Sequence, residues 1–600
     1  MREARLPGKV SGNLRSGGVE QACKSGVSAL WRSDSGPLAA ADLAAMGLAS
    51  SAQCWAARGH DGQHLAAVHE QHAQGAHTIV VGELEQLSEL AARLGMAPQT
   101  PPSALVAAAL ERYGTETPAE LSGEWSLLQR RADGSVIAML SAARRDPLLW
   151  AQSGPHWALH SDLFALARID WVNTEIDETG LLARVGRDYM RQRRGARTML
   201  VGVSELRPGE SLTVRPDGSS SVQSCDVLTP QPAFSGSFAD ALTASDELLA
   251  RIMRERLART PRGMLLLSGG LDSSLLAAYL AGIARTEPQA VVSVAPPESG
   301  LADEEHFARM VADRLGLPLH CVAPAAELNA YRPPNRVFAG ANGPAMSNRH
   351  CITQAIQQLA GEEGVGLLIN GTYGELTATA RLPDRSLFQR LRTVAASAWR
   401  HLSPPEVLDI AHHPFHVRVA PHRLANLPEP ISTWIAEPRE DAQWPPRDGM
   451  FGYLPGAEKA LMIANEFHPG AQRMSFPYRD VRLLRLFAGF PLATLLSGGH
   501  DRPVVRSLLT GRVPEAIRLR QRAMPATPDH LPRLQRQAES ARARIPEFRR
   551  AELDEWLDLN WLDEVLSKVA ARGPRDVNEA NQVQLTAMFA EFMLWWRTQF

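Results

Sequence analysis

Met264-Leu265-Leu266-Leu267-Ser268-Gly269-Gly270-Leu271-Asp272-Ser273-Ser274, followed by LLAAYLAGIA over 275–284, is the stretch that decides the fold. Four apolar residues in a row read as a buried strand, the residues after Ser274 keep helical spacing, and Gly-Gly between them marks a tight turn. A strand, such a turn and a helix N-terminus gather unpaired backbone N–H groups around one point, where the helix dipole favours an anion. The hydroxyls of Ser268, Ser273 and Ser274 add donors, and Gly269 and Gly270, without side chains, let the backbone approach a pyrophosphate closely. The stretch lacks the GK[ST] ending of a Walker A loop and is not GxGxxG, so it is a phosphate loop of another kind.

Outward from it the chain alternates. Helical spacing from Phe238 to Leu257 leads into the strand, and AVVSVA (290–295), PLHCVA (318–323) and VGLLIN (365–370) then alternate with helical stretches such as Glu304 to Leu315. This predicts a parallel sheet with helices on both faces. Upstream, Thr229 to Gly236 is Pro/Gly/Ser-rich and reads as a linker. From Trp31 to Val227 short β-like runs dominate, including SLLQRR, SVIAMLSAARR, HWALHS and ESLTVRP, which predicts an α+β layer structure. The expected organisation is a flexible segment over 1–30, one domain over 31–227 and a second over 237–600.

Lys+Arg 63 against Asp+Glu 65 leaves a net charge of −2, so no bulk positive field exists to hold nucleic acid or an anionic membrane. With 44% hydrophobic and 21% charged residues the chain is globular in composition. The only lysines are Lys9, Lys24, Lys459 and Lys568, so a cationic clamp on phosphate is expected to be arginine. Five cysteines without CxxC spacing argue against a disulfide framework or a cysteine zinc site and fit a reducing cytoplasm. The opening MREARLPGKVSGNLRSGG lacks the apolar core of a signal peptide, and no apolar run of about 18 residues suggests a membrane span.

The loop Ser268 to Ser274 resembles the pyrophosphate loop of the ATP pyrophosphatase (adenine nucleotide alpha hydrolase-like) superfamily, which cleaves ATP between its α and β phosphates. The resemblance implies ATP and Mg2+ as cofactors, with Asp272 as one oxygen ligand. A second carboxylate is expected from Gly366-Leu367-Leu368-Ile369-Asn370-Gly371-Thr372-Tyr373-Gly374-Glu375, a buried strand and a Gly-containing turn. Asparagine synthetases carry a Gly-Glu-Gly-x-Asp-Glu turn here, and Glu375 falls where their metal-binding Asp sits, with Gly371 beside the nucleotide and Tyr373 near the site. Asp303-Glu304, His320 after the third strand, Phe476-Pro477-Tyr478-Arg479-Asp480, Arg506-Ser507-Leu508-Leu509 and Val513 to Arg522 resemble further segments of that family. The resemblance puts Arg506 at phosphate and Arg522 where the family has a transition-state Lys. Guanidinium keeps the electrostatic role of that Lys but cannot shuttle a proton.

The amino-terminal half resembles the same family's glutaminase domain, an Ntn-type αββα sandwich, at Leu121 to Ser126, Arg145-Asp146, His160 to Leu166 and Arg207-Pro208-Gly209. Glutamine hydrolysis in that family needs Cys after the initiator Met, and this chain has Arg2, so a degenerate, inactive domain is expected. A synthetase that makes no ammonia takes its nitrogen from its substrate. Lasso peptide cyclases do this with the peptide's α-amine, whose pKa near 8 leaves free base at neutral pH. The resemblance then implies a lasso core peptide as substrate, and a leader peptidase and a leader-recognition protein as partners. An ammonia-dependent asparagine synthetase, a β-lactam synthetase and a non-catalytic scaffold are the alternatives. The insertion-like stretch Arg381 to Trp444, with His412-His413-Pro414-Phe415-His416, reads as a wall holding the peptide. Leu585, Met588, Phe589, Phe592, Trp595 and Trp596 share one helical face and read as core.

Overall fold

A computed structural model describes residues 26–49, 54–60, 67–73, 75–143, 147–187, 190, 193–225, 234–258, 260, 262–283, 287–295, 301–345, 347–379, 413–436, 472–497, 501–521 and 527–599. One sheet runs Leu319–Val322, Gln289–Ser293, Gly263–Leu266, Leu367–Ile369, Arg473–Ser475, every pair parallel. In chain order this is 3-2-1-4-5. The chain leaves its first strand toward one edge and returns on the other side. The reversal falls between Gly263–Leu266 and Leu367–Ile369, where an open α/β sheet leaves a crevice at the strands' carboxyl ends.

Alternation along the strands sorts the apolar side chains. Leu265, Ala290, Val292, Leu367 and Ile369 pack with the helices Phe238–Leu257, Leu271–Ala281 and Glu305–Leu315. Met264, Val291 and Leu368 turn to the other face, against Ile352, Ile356 and Ala360 of the helix His350–Glu362. His320 lies inside its strand rather than after it.

Two antiparallel sheets come earlier in the chain. The first is ordered Trp55–His60, Gly26–Arg32, His156–His160, Leu148–Ser153, Ser204–Leu206; the second Ser220–Ser224, Glu210–Val214, Val136–Leu140, Ser122–Arg130, Ala76–Glu85, Ala67–Ala73. Val27, Ala29, Trp157 and Leu159 of the first share a core with Ile79, Val81, Ala138 and Leu140 of the second. The residues between them point outward. Val80, Ile137 and Met139 are covered with residues of the helices Leu87–Leu94 and Pro102–Tyr113. Leu30, Leu149 and Ala158 are covered by Leu163–Ala167, Glu178–Val185 and helices from the end of the chain. The layers thus run helix, sheet, sheet, helix.

The first strand begins at Gly26, inside the segment expected to be flexible. Paired on both sides, with Val27, Ala29 and Leu30 buried, it is an inner strand. In the helix Val577–Gln599, Leu585, Met588, Phe589, Phe592, Trp595 and Trp596 are all buried, and Trp595 meets Phe164 edge-on at 4.9 Å. Residues from both expected domains therefore share one core. The carboxyl end of the expected linker is anchored too, with the Phe234 ring 4.9 Å from that of Phe490.

A buried ion network joins the antiparallel layers to the parallel sheet. Arg256, 2% exposed, lies 3.0 Å from Glu85, 2.8 Å from Glu124 and 3.3 Å from Asp480. Arg482 contacts Glu85 at 2.6 Å, Asp480 at 2.8 Å and Glu255 at 2.7 Å, Arg473 pairs with Glu83, and Arg479 donates to the Ala143 carbonyl. Burial opposes the Arg256 charge, but its three carboxylates outweigh burial and raise its pKa. Burial pushes the Glu85 carboxyl up to about 7 against the pull of Arg256 and Arg482.

Candidate functional site

The loop after Gly263–Leu266 and the turn after Leu367–Ile369 meet at the reversal point of the sheet, above a cavity of about 630 Å³. Ser268, Asp272, Ser273, Gly371, Tyr373 and Glu375 line it. Gly269 turns the chain with φ +67°, and a Cβ there would come within 2.5 Å of Phe307 Cβ, so only glycine fits. Gly270 N–H donates to Ser268 Oγ at 3.3 Å, Ser268 N–H donates to Ser273 Oγ at 3.2 Å, and the two hydroxyls lie 3.2 Å apart. The loop is therefore shaped by its own serines. Gly270 caps the helix Leu271–Ala281, leaving first-turn N–H groups without intrahelical acceptors. Leu271 packs into the core below, and Ser274 is fully buried, its hydroxyl without a partner among the described residues.

Asp272 and Glu375 form an acidic pole. Burial raises the Asp272 carboxyl, while a hydrogen bond from the Thr379 hydroxyl and the charge of Arg502 pull it back. The Glu375 carboxyl is likewise raised, first by the protein around it and then by Asp272, with Arg502 opposing. Two carboxyls that feel each other and whose surroundings disfavour charge make a hard-oxygen donor set that a divalent cation would complete. The residues present thus fit Mg2+. The backbone holds the pair tightly: a Cβ on Gly374 would strike Asp272 Oδ1, and one on Gly371 would lie 3.1 Å from Ser273 N. Tyr373 takes φ +76° to make this turn, and its ring stands 5.8 Å from Phe476.

Around the pole are residues that sequence reasoning did not single out for these contacts. Tyr478 Oη donates to the Asp272 carbonyl at 2.8 Å. Arg520 binds buried Glu304 at 2.6 Å, reaches the Ser268 carbonyl at 3.3 Å and stacks on Phe307 at 3.8 Å, clamping the start of the loop. Their signal lay in Phe476 to Asp480 and Val513 to Arg522, but nothing local assigns their partners. Arg349, Asn348, Thr353 and Gln357 also line the cavity. Burial disfavours the charge of Arg349, which has no ion-pair partner among the described residues. Leu266, Val291, Ile352, Ile356 and Leu368, which pack together on one face of the sheet, give the cavity an apolar side.

Arg506 is not brought to the cavity. Its buried guanidinium serves Asp501, donating to the carbonyl at 2.8 Å and pairing with the carboxylate at 3.0 Å, and also donates to the carbonyls of Arg518 and Arg520. Arg522 lies outside the described residues, as do Arg145-Asp146, His412 and most of Arg381 to Trp444. Of that stretch, 413–436 is described. His413 is buried with Nδ1 3.1 Å from the Phe415 carbonyl oxygen, and His416 lines the cavity.

The parallel α/β sheet thus carries, at its reversal point, a cavity with an acidic, metal-fitting pole. The asparagine synthase family model matches residues 244–375 and 473–597, which takes in the loop, Tyr373, Glu375 and Arg506. A search of curated proteins finds no match. Among solved structures, glutamine phosphoribosylpyrophosphate amidotransferase from B. subtilis, complexed with ADP and GMP, aligns at 15% identity over 50% of this chain with a TM-score of 0.22. The alignment spans 60% of that protein's length. A structure of the allosteric regulatory enzyme of purine biosynthesis aligns at 10% identity over 58% of this chain and 69% of that one, with a TM-score of 0.22. Among the described residues no helix is long and apolar enough to cross a membrane.

Proposed function

We propose that this chain is an ATP- and Mg2+-dependent, AMP-forming amide ligase of the lasso peptide cyclase type. It activates the side-chain carboxylate of an Asp or Glu in a core peptide as the adenylate, and the peptide's N-terminal amine displaces AMP to close a macrolactam. The observation that carries the reading is the meeting of the Ser268 to Ser274 loop with the Asp272–Glu375 pair at one end of a roomy cavity. Mg2+ at those carboxylates would neutralise triphosphate charge. The chain's own groups do the rest: the loop backbone and Ser273 hold the leaving pyrophosphate, and Arg520 keeps the loop in place. Arg522 offsets developing charge, and Tyr373 borders the reacting carboxylate. The cavity is also lined by His416, Asn581 and Leu585 from other parts of the chain, which leaves room for a substrate beside the nucleotide. A leader peptidase and a leader-recognition protein are the proposed partners, because the amine must be exposed before it can attack. The antiparallel layers act as a degenerate glutaminase-like scaffold, and the cytoplasm is the proposed location.

The test supplies ATP, Mg2+ and a leader-free peptide with an acidic residue at ring-forming distance from its amine. AMP, pyrophosphate and a product one water lighter than the peptide are expected. Release of ADP, or conversion of free aspartate and ammonium to asparagine without peptide, would overturn the reading.

A further inference from the structure

Outside the cavity, one β-hairpin brings together three side chains that ligate transition metals. Strands Ala67–Ala73 and Ala76–Glu85 pair in a register that sets Ala73 opposite Ala76 at the turn and His72 directly opposite His77. Residues facing each other across a ladder point to the same side, and Glu70, two positions before His72, shares that side. One donor atom from each of Glu70, His72 and His77 lies within 4.8 Å of the other two. The two imidazoles stack with centroids 3.9 Å and planes 17° apart, so the exposed His72 ring would turn about its side-chain torsions to bring its lone pair onto an ion shared with His77.

Two details of these donors suit a cation. His77 Nε2 is shut off from solvent and has no hydrogen-bond partner among the described residues. Its neighbour Glu70 Oε2 stands 3.7 Å away, too far for a hydrogen bond. Two donors held about 2.0–2.1 Å from one zinc at a tetrahedral angle lie about 3.4 Å apart, so the gap is close to what a shared ion requires. The other carboxylate oxygen, Oε1, accepts the Gly59 N–H at 2.9 Å, which orients the group and keeps Oε2 toward the histidines.

We propose that Glu70, His72 and His77 bind Zn2+, with water in the fourth position. Two imidazoles and one carboxylate suit zinc and give magnesium no advantage. Glu70 and His72 are exposed, so an ion can enter from solvent. Gly59 belongs to Trp55–His60, the edge strand of the first antiparallel sheet, and Ala67–Ala73 is the edge of the second. The ion would pin the two edges together at one end of the sandwich, a structural role separate from the ligase chemistry.

The full chain, freed of any histidine tag and stripped with chelator, is titrated with Zn2+ against a chromophoric chelator and with Co2+ for the visible bands of tetrahedral cobalt. One tight equivalent is expected. His72→Ala and His77→Ala should each abolish it, Glu70→Gln should weaken it about 10-fold or more, and His416→Ala should leave it intact. Absence of stoichiometric binding overturns the proposal, as does wild-type affinity in His72→Ala. That variant changes an exposed side chain, so it decides the matter even if His77→Ala does not fold. No substrate is needed, so the result is independent of the ligase reading.

Discussion

Replacing Arg256 with methionine removes the cation that three buried carboxylates share, Glu85 at 3.0 Å, Glu124 at 2.8 Å and Asp480 at 3.3 Å. Arg482 still reaches Glu85 and Asp480, but for Glu124 there remains Arg479 at 3.9 Å. Breaking a buried ion pair from one side costs about 3–5 kcal/mol, because the charge left behind is out of water and uncompensated. The penalty should depend on pH with a definite sign. Burial pushes Glu85 up to about 7, above its unfolded value, so its charge works against folding above that pH and ceases to do so as pH falls. Without Arg256 the folded state takes up protons still more readily. Urea unfolding of variant and wild type at about pH 8 and about pH 5.5 should show a gap that narrows on acidification, by about 1.4 kcal/mol per pH unit for each extra proton bound. Adding Glu85→Gln to the variant should recover part of the loss at the higher pH. A gap below about 1 kcal/mol, or one that widens in acid, would refute the reasoning.

Asp272→Asn keeps the shape and the Thr379 contact while removing a buried carboxylate, so ATP–pyrophosphate exchange should vanish at an unchanged or raised melting temperature; a large fall in melting temperature would mark a structural role instead. Gly374→Ala drives a methyl group into Asp272 Oδ1 and to 2.7 Å from Thr379 Oγ1, so it should cut the exchange rate at least about 100-fold while circular dichroism stays native. Arg349→Gln should lower kcat/KM by about 10–100-fold, the loss of one charge-assisted hydrogen bond, if this cavity-lining cation meets an anionic group of a substrate; unchanged kinetics would exclude that contact.

Local pattern carried the strand, loop and helix around Ser268 to Ser274, because the chemistry of that loop is contained in consecutive residues. The turn at Glu375 was readable for the same reason, a short buried strand followed by glycines. Contacts across long sequence separation were not. Tyr478 reaches the Asp272 backbone, and Thr379 its carboxylate, through pairings that no periodicity encodes. Arg506 shows the same: that it donates to the carbonyls of Arg518 and Arg520 is set by how the chain turns back on itself and not by its own segment. The strand Gly26–Arg32 was lost in a segment taken as flexible because its apolar alternation is short and its pairing partners lie on both sides, one of them more than a hundred residues away.

The helix Val577–Gln599 supplies Asn581 and Leu585 to the cavity and covers the outer face of the first antiparallel sheet. A ribosome has therefore finished both acidic residues long before it makes Asn581 and Leu585, which line the same cavity. At about 5–20 residues per second, the interval between Glu375 and Asn581 lasts about 10–40 s. During that time the nascent chain carries the Ser268 to Ser274 loop beside an unfinished cavity, and the apolar face around Leu30, Leu149 and Ala158 still awaits its cover. Completing the cavity and covering that face thus come together with one helix, and chaperone binding to the growing chain should persist until Val577–Gln599 docks.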